Sequence, residues 1–265
     1  MAYQHIQLSR EGAYYTLTMN RPERRNALSR AHMAELIDAF STVGKSDALG
    51  VTLAGNGPVF CAGHDFADMV GSPLPELRSL LLQCAELMQL MQRIPQVVIA
   101  RVHALATAAG CQLVATCDLA VAADSAGFAL PGGKGDWFCH TPLVAVGRAI
   151  PRKQALELAF TGDAIDATTA LSWGLLNRVV PAADVHAATQ DLLSRATRGS
   201  GFAKGMGKQC FYDQIDLDLA KAYAHAVEVM AATGQTPEAQ ERMRAFVEKR
   251  APKREASQPA SAAAG

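Results

Sequence analysis

Two short segments rich in Gly and Ala carry the residue types in this chain that are best suited to chemistry. The first, "FCAGHD", spans residues 60–65, and the second, "ATAAGCQ", spans residues 106–112; each has the pattern of a turn between a strand and a helix. Small side chains let the backbone approach a ligand closely, and the first N–H groups of a helix have no acceptor within it. Two such donors aimed at one point would stabilise an oxyanion. Tight packing turns are the alternative, which composition alone favours.

The composition describes a globular protein with no formal net charge. The 265 residues are 49% hydrophobic and 19% charged, enough for one large domain or for one domain with a helical extension. Lys plus Arg and Asp plus Glu number 25 each, which argues against nucleic acid or an anionic membrane as the main partner. We find neither a signal nor a transit peptide pattern, and no apolar run reaches the length of a membrane span. We therefore expect a cytoplasmic protein.

The spacing of cysteines and histidines provides no metal-binding or redox motif. None of the six cysteines forms a C-x-x-C pair, which favours reduced and buried thiols over a zinc ribbon or a redox centre. The seven histidines include no H-x-x-x-H pair. We therefore expect no bound metal.

Strand-like and helix-like segments alternate through most of the chain. An apolar stripe over residues 29–43 follows Ser29, a candidate N-cap, and a long amphipathic segment spans residues 75–94. Residues 58–69 have the pattern of a turn that runs into a helix. Short β-rich segments lie at 13–20, 49–55 and 96–105. This alternation predicts an α/β fold with parallel strand pairing, followed from about residue 183 by helices alone.

Further motifs accompany the two turns in a fixed order. "RPERRNAL" (21–28) precedes them, and "FTGDAIDATTALSWGLLNRVVP" (160–181) follows them. Together these motifs resemble the crotonase (enoyl-CoA hydratase/isomerase) superfamily from about residue 5 to about residue 250. The segments "GHDF", "LATAAGCQLVATCD" and "FCHTPLVAVGRAIPRK" resemble one branch of that superfamily in particular.

The resemblance implies a fold, an assembly and a ligand. The fold would be a spiral of ββα units (1–182) that holds an acyl-CoA pocket, followed by a helical trimerisation segment (183–252). A low-complexity tail (253–265) is expected to be disordered. The chain would form a homotrimer or a dimer of trimers. Its substrate would be an acyl-CoA or enoyl-CoA, so that coenzyme A enters as part of the substrate and no prosthetic group is needed.

The resemblance also assigns binding residues. The backbone N–H groups of His64 and Ala109 would hold the thioester carbonyl. The adenine end of coenzyme A would lie along one short segment, and Gly110 would help to bind the cofactor; the segment's residues are Ala62, His64, Asp65 and Phe66. Arg24 or Arg25 would meet the phosphates, with a solvated surface arginine as the alternative.

Two positions depart from the hydratases of the superfamily. Those enzymes use one glutamate three residues after the second oxyanion donor and another in the following loop. Here the first position is Gln112 and the second aligns with Gly132. An amide cannot take a proton from water, so the ordinary hydration mechanism does not carry over. Gln112 could orient a water or a polar group of the substrate, or it could be a buried residue satisfied by the backbone.

Two residues of the same loop are candidates for the missing proton transfer. His140 occupies a position where some members carry a catalytic aspartate, and a histidine can act as acid or base near neutral pH. Asp136 lies four residues earlier, where a turn or capping role is the simpler interpretation.

The sequence thus favours an enzyme, with one rival of another class. The first hypothesis is an atypical enoyl-CoA hydratase-like lyase, isomerase or acyl-CoA hydrolase of fatty acid metabolism. The second is an acyl-CoA-binding or regulatory protein that kept the pocket and lost the catalysis. Gln112 and Gly132 favour the second hypothesis, and His140 favours the first.

Overall fold

The computed structural model describes residues 3–251, so the predicted tail at 253–265 lies outside it. The strands are β1 (Ile6–Glu11), β2 (Tyr14–Met19), β3 (Gly50–Gly55), β4 (Val97–Val102), β5 (Ala106–Thr107), β6 (Leu119–Ala123), β7 (Gly127–Ala129), β8 (Ile165–Asp166) and β9 (Arg178–Val180). The helices are α1 (Arg30–Gly44), α2 (Leu74–Arg93), α3 (Ala109–Thr116), α4 (His140–Ala149), α5 (Arg152–Thr161), α6 (Ala167–Trp173), α7 (Val185–Ala196), α8 (Gly201–Gln214), α9 (Leu219–Gly234) and α10 (Pro237–Val247). Within this range, no helix has the length and apolar character needed to cross a membrane.

The strands form two sheets, and the predicted α/β fold with parallel pairing is confirmed. The larger sheet has the order β1-β2-β3-β4-β6-β9, in which only β1 and β2 run antiparallel. The smaller sheet has the order β5-β7-β8. Sequence patterns missed β1, because this edge strand buries only Ile6 and leaves the rest of its side chains partly or fully exposed.

Helices cover both faces of the larger sheet, and this explains its apolar central strands. On one face, Phe40 of α1 and Leu87 of α2 share a core cluster with Leu53 of β3. On the other face, α7 packs over Ile99 and Val121. Strands buried on both sides read as continuous apolar runs rather than as alternating ones. The sheet therefore fixes the carboxyl ends of β3 and β4, which both Gly/Ala turns follow.

The predicted cap of α1 is confirmed. The Ser29 side chain accepts a hydrogen bond from the His32 N–H at 3.2 Å, which satisfies one of the unpartnered donors of the first turn. Met33, Leu36 and Phe40 form the buried stripe of the helix.

Residues 58–69 do not run into an α-helix as the sequence predicted. Only the three-residue 3-10 turn Phe66–Asp68 forms, and the Asp65 side chain caps it by accepting from the Ala67 N–H at 3.1 Å. The chain then leaves the turn at Met69, and the next helix begins only at Leu74.

The chain divides into two compact units, the first ending at Gln209 and the second beginning at Cys210. The sequence predicted a helical segment that begins at residue 183. The boundary between the two units lies later, because α7 packs against β4 and β6 within the first unit. In the second unit, α9 buries none of its residues. An apolar stripe on α9 is exposed: Leu219, Tyr223, Val227 and Met230. The proposed trimerisation role of this region remains a prediction.

Candidate functional site

The two Gly/Ala segments, here called the paired turns (residues 60–65 and 106–112), lie directly side by side. Cys61 and Ala106 form a parallel β-bridge. The Thr107 N–H donates to the Cys61 carbonyl at 3.0 Å. The backbone thus joins two segments that are more than 40 residues apart in sequence.

Two glycines allow this close approach. Gly63 has φ +90°, and a methyl group there would lie 2.8 Å from the Ala108 Cβ and 3.2 Å from the Ala109 nitrogen. A methyl group at Gly110 would overlap the Cys61 carbonyl oxygen. A larger residue at either position would push the paired turns apart. The atoms that it would meet are backbone atoms or a Cβ atom, and these cannot rotate out of the way. Gly110 therefore lets the second turn pack against Cys61 of the first, and its cofactor-binding role stays a prediction.

The paired turns carry two N–H groups without acceptors. Ala108 has φ 51° and ψ −120°, an uncommon conformation for a residue with a side chain, and α3 begins immediately after it. Within residues 3–251, neither the His64 N–H nor the Ala109 N–H donates a hydrogen bond. Ala109 is fully buried. A buried donor without an acceptor is costly, so this arrangement fits a site that receives its acceptor from a ligand.

The His64 ring is held neutral beside its backbone donor. Neither ring nitrogen forms a hydrogen bond in the described part of the chain. Burial lowers the pKa of His64, and this effect outweighs the nearby Leu28 carbonyl, which acts in the opposite direction. Asp65, the next residue in sequence, pairs with arginines rather than with this ring. The two neighbours therefore form no catalytic dyad.

Asp65 connects the loop before α1 to the paired turns. Its carboxylate is buried, and it accepts from Arg24 at 2.9 Å and from Arg21 at 3.3 Å. Burial alone would raise the pKa of Asp65, but the hydrogen bonds from Arg24 and the Ala67 N–H and the charges of both arginines lower it. The Asp65 carboxylate therefore already has partners within the protein and needs none from a ligand.

Arg24 and Arg25 differ in what their side chains already bind. The Arg24 guanidinium pairs with Asp65, whereas the exposed Arg25 side chain forms no ion pair within the described residues. Arg25 has φ 52°, and its carbonyl accepts from the Ala62 N–H at 3.0 Å. The backbone of Arg25 therefore lies against the first of the paired turns while its cation stays available.

Sequence reasoning missed Asn26, which ties its own loop to the segment that follows β3. It is fully buried with φ 52°, and its Nδ2 donates to the carbonyls of Asn56, Val59 and Phe60. Its Oδ1 accepts from the Arg21 N–H at 2.9 Å. An asparagine after two arginines in a Pro-containing loop is a signal for a left-handed turn position, but it does not reveal the three distant acceptors.

Gln112 is buried one helical turn after Ala109. It is 4% exposed, and its Oε1 lies 4.0 Å from the Sγ of Cys84 on α2. The Nε2 of Gln112 donates to no residue between 3 and 251. The side chain is therefore not satisfied by its own backbone, which was one of the two sequence interpretations.

Gly132, which the resemblance aligns with a second glutamate, has no room for a side chain. A methyl group at Gly132 would lie 2.5 Å from the Trp137 carbonyl oxygen and 2.7 Å from the Cys139 nitrogen. These contacts are with the backbone of the same loop, so they cannot be relieved by a side-chain rotation. The β7–α4 loop, defined here as residues 130–139, is thus closed on itself at Gly132.

His140 and Asp136 are both exposed. His140 opens α4, and its ring contacts Phe138 at a centroid distance of 5.3 Å. No hydrogen bond joins either side chain to Gln112. Trp137 of the β7–α4 loop contacts Phe66 edge-to-face, with the ring centroids 6.3 Å apart. The residue that follows the first turn therefore touches this loop through two exposed rings. Among the described residues, no three His, Cys, Asp or Glu side chains form a group that could hold a metal ion.

The fold and the paired turns define a crotonase-type α/β protein. Residues 10–257 match the model of the enoyl-CoA hydratase/isomerase family, and the chain belongs to this family. An enoyl-CoA hydratase structure from Mycobacterium smegmatis superposes with a TM-score of 0.91 at 42% identity, covering 94% of this chain and 98% of that one.

The particular relatives match the branch that the sequence motifs indicated. The human enoyl-CoA hydratase domain-containing protein 3 structure has a TM-score of 0.89 at 36% identity, covering 94% of this chain and all of that one. The Mus musculus protein of the same name is 40% identical over 238 residues, which are 89% of this chain and 79% of that protein. Its name describes it as mitochondrial. The expectation of a cytoplasmic location is therefore wrong, because these relatives point to mitochondria.

Proposed function

We propose that this protein acts on an acyl-CoA thioester and holds its carbonyl oxygen between the N–H groups of His64 and Ala109. The observation that carries this proposal is the pair of donors without acceptors on two turns in direct contact. Such donors stabilise the oxyanion that develops when a thioester carbonyl is attacked or enolised. Removing one of them typically costs about 3–4 kcal/mol of transition-state stabilisation.

Arg25 is the better candidate for the coenzyme A phosphates. Its guanidinium has no carboxylate partner within the described residues, whereas Arg24 already pairs with Asp65. Its backbone also lies against Ala62, at the start of the segment expected to follow the adenine. A few local cations suffice for this contact, so the zero formal net charge of the chain is no obstacle.

The chemistry that follows carbonyl binding differs from ordinary hydration. Gln112 cannot act as a base, and Gly132 lies where the loop backbone excludes a carboxylate. General acid–base catalysis contributes roughly 10²–10⁴-fold, so hydration without both groups would be slow. We therefore favour an atypical hydratase-like lyase, an isomerase or an acyl-CoA hydrolase, in which His140 would move protons. Asp136 is the weaker candidate for this role.

An acyl-CoA-binding or regulatory protein is the second candidate function. The closed loop around Gly132 favours it, since the loop leaves the retained carbonyl site without one of its carboxylates. Exposure of His140 favours neither candidate, because an open active site and a solvent-facing surface both leave a ring accessible.

We further propose that α9 contributes to a homotrimer or a dimer of trimers. Its exposed stripe places Leu219, Tyr223, Val227 and Met230 at helical spacing on one face. Large exposed apolar faces usually mark contacts between proteins. Sedimentation of the full chain, beside a Tyr223→Glu, Val227→Glu variant, would test this proposal.

The test of function is turnover of crotonyl-CoA and of a longer enoyl-CoA, followed by loss of the conjugated thioester absorbance. The native chain would be compared with the His140→Ala and Gln112→Glu variants, with butyryl-CoA binding measured by calorimetry. Turnover that disappears in His140→Ala supports an enzyme with a relocated acid–base group. Binding without turnover supports the second candidate, and the absence of binding contradicts both.

A further inference from the structure

Gln112 has an unused hydrogen-bond donor in the proposed site. The residue is only 4% exposed, and its Nε2 has no acceptor in the described part of the chain. Unlike the ring nitrogens of His64, this Nε2 atom is not fully enclosed by protein, so a ligand can reach it. The side chain is therefore prepared for an acceptor that the protein itself does not provide.

Cys84 sets the direction in which the Gln112 amide presents its donor. The Cys84 thiol is fully buried, and burial raises its pKa to about 12, so it remains an S–H donor near neutral pH. The Gln112 Oε1 lies 4.0 Å away and accepts from it. Because oxygen and nitrogen occupy opposite sides of an amide, this contact directs Nε2 away from Cys84. The ligand thus faces a donor where a hydratase would offer an acceptor.

The spacing along α3 places this donor near the third carbon of a bound thioester. Ala109 and Gln112 are three residues apart, so their side chains leave the same face of the helix about 5–6 Å apart. The third carbon lies two carbon–carbon bonds, of about 1.5 Å each, beyond the carbonyl carbon that the Ala109 N–H would hold. A glutamine side chain has the length to reach an oxygen on that carbon.

We propose that the site selects acyl-CoA thioesters with an oxygen acceptor on the third carbon, a 3-oxo group above all, through the Nε2 of Gln112. This inference rests on the proposed function and names its substrate class. A 3-oxo oxygen only accepts hydrogen bonds and matches a donor. A 3-hydroxyl can accept as well, but its own proton then needs a second acceptor, which Gln112 does not supply while its Oε1 faces Cys84. A saturated chain leaves the donor unpaired.

The experiment compares two ligands of equal chain length by calorimetry. We expect the native protein to bind acetoacetyl-CoA about three- to tenfold more tightly than butyryl-CoA, the range of one net hydrogen bond. Gln112→Leu should bind both equally, because the apolar side chain has a similar size and no donor. Gln112→Glu should prefer butyryl-CoA, because a carboxylate repels the 3-oxo oxygen. Circular dichroism would confirm that both variants fold.

A second pair of variants tests the role of Cys84. Cys84→Ser keeps a donor for Oε1 and should retain the preference for acetoacetyl-CoA, whereas Cys84→Ala lets the amide reverse and should reduce it. Equal affinities of the native chain for both ligands overturn the inference and leave the proposed function intact. Failure to bind either ligand overturns the proposed function itself.

Discussion

The paired turns and the β7–α4 loop stand in contrast as places where a ligand could be received. The paired turns are held at a close approach by Gly63 and Gly110, and two of their N–H groups have no acceptor among the described residues. The β7–α4 loop instead fills the space beside Gly132 with its own backbone. Two backbone donors thus stay open on the paired turns, whereas the loop around Gly132 is filled by its own backbone. The difference teaches that one part of a fold can keep donors free for a ligand while another part closes on itself.

The largest expected effect comes from deleting one N–H of the paired turns. Ala109 is the first residue of α3, a position where proline fits a helix without breaking it. We expect Ala109→Pro to lower turnover of the best thioester substrate about 10²–10³-fold, because one oxyanion donor is lost. The measurement is the steady-state rate at saturating substrate.

The matched control for this variant is Arg152→Pro, at the exposed first position of α5. It should leave both the rate and the melting temperature close to those of the native chain. Full turnover in Ala109→Pro would contradict the proposed role of the paired turns in carbonyl binding, because they would then be packing elements only.

Acid should destabilise the fold through His32. The ring is fully buried, its Nδ1 lies 3.1 Å from the Ala27 carbonyl, and burial lowers its pKa from 6.5 to about 4. Between these two values the unfolded chain binds a proton that the folded chain does not. The contribution of His32 to stability is therefore constant above about pH 6.5 and falls by about 3 kcal/mol as the pH drops to about 4.

Urea unfolding at pH 7, 5.5 and 4 measures this loss. His32→Gln cannot titrate but can still donate to Ala27, so its stability should decrease less over the same range. Parallel curves for the native chain and the variant would show that other groups cause the acid sensitivity.

Two equivalent glycine substitutions test whether the paired turns, and not the β7–α4 loop, contact the ligand. Gly63→Ala and Gly132→Ala each force a methyl group against neighbouring atoms, and each should destabilise the fold by about 1–3 kcal/mol. Only Gly63→Ala displaces the Ala109 donor, so only this variant should weaken butyryl-CoA binding, about tenfold. Calorimetry beside thermal unfolding separates the two effects. Equal binding losses would mean that the β7–α4 loop also contacts the ligand.

The sequence predicted those parts of the site that depend on local chemistry. The paired turns stand out by their Gly and Ala residues, although tight packing turns have the same composition, and Ser29 stands out because a cap acts within its own turn. The same local logic failed at residues 58–69. The pattern of these residues indicated a helix, but only the 3-10 turn Phe66–Asp68 forms, and the Asp65 carboxylate pairs with Arg21 and Arg24.

Contacts between distant segments could not be predicted from the chain alone. Asn26 meets acceptors 30 to 34 residues away, and Gln112 meets a thiol 28 residues away. Nothing in the sequence near either residue identifies those partners. The sequence has Gln112 and Gly132 at the two positions where the resemblance implies glutamates, but the direction in which Gln112 presents its amide depends on Cys84 and required the structure.

The smallest effect separates Arg25 from Arg24. The Arg25 guanidinium has no carboxylate partner within residues 3–251, so Arg25→Gln should weaken coenzyme A binding about two- to fivefold, and more at low salt than at high salt. Arg24→Gln removes a cation that Asp65 already holds, so it should leave binding nearly unchanged and lower the melting temperature instead. Calorimetry at two salt concentrations measures the first effect, and thermal unfolding measures the second. If Arg24→Gln weakened binding more than Arg25→Gln, the Arg24–Asp65 pair would have to open for the ligand, and the loop before α1 would belong to the binding site rather than to its support.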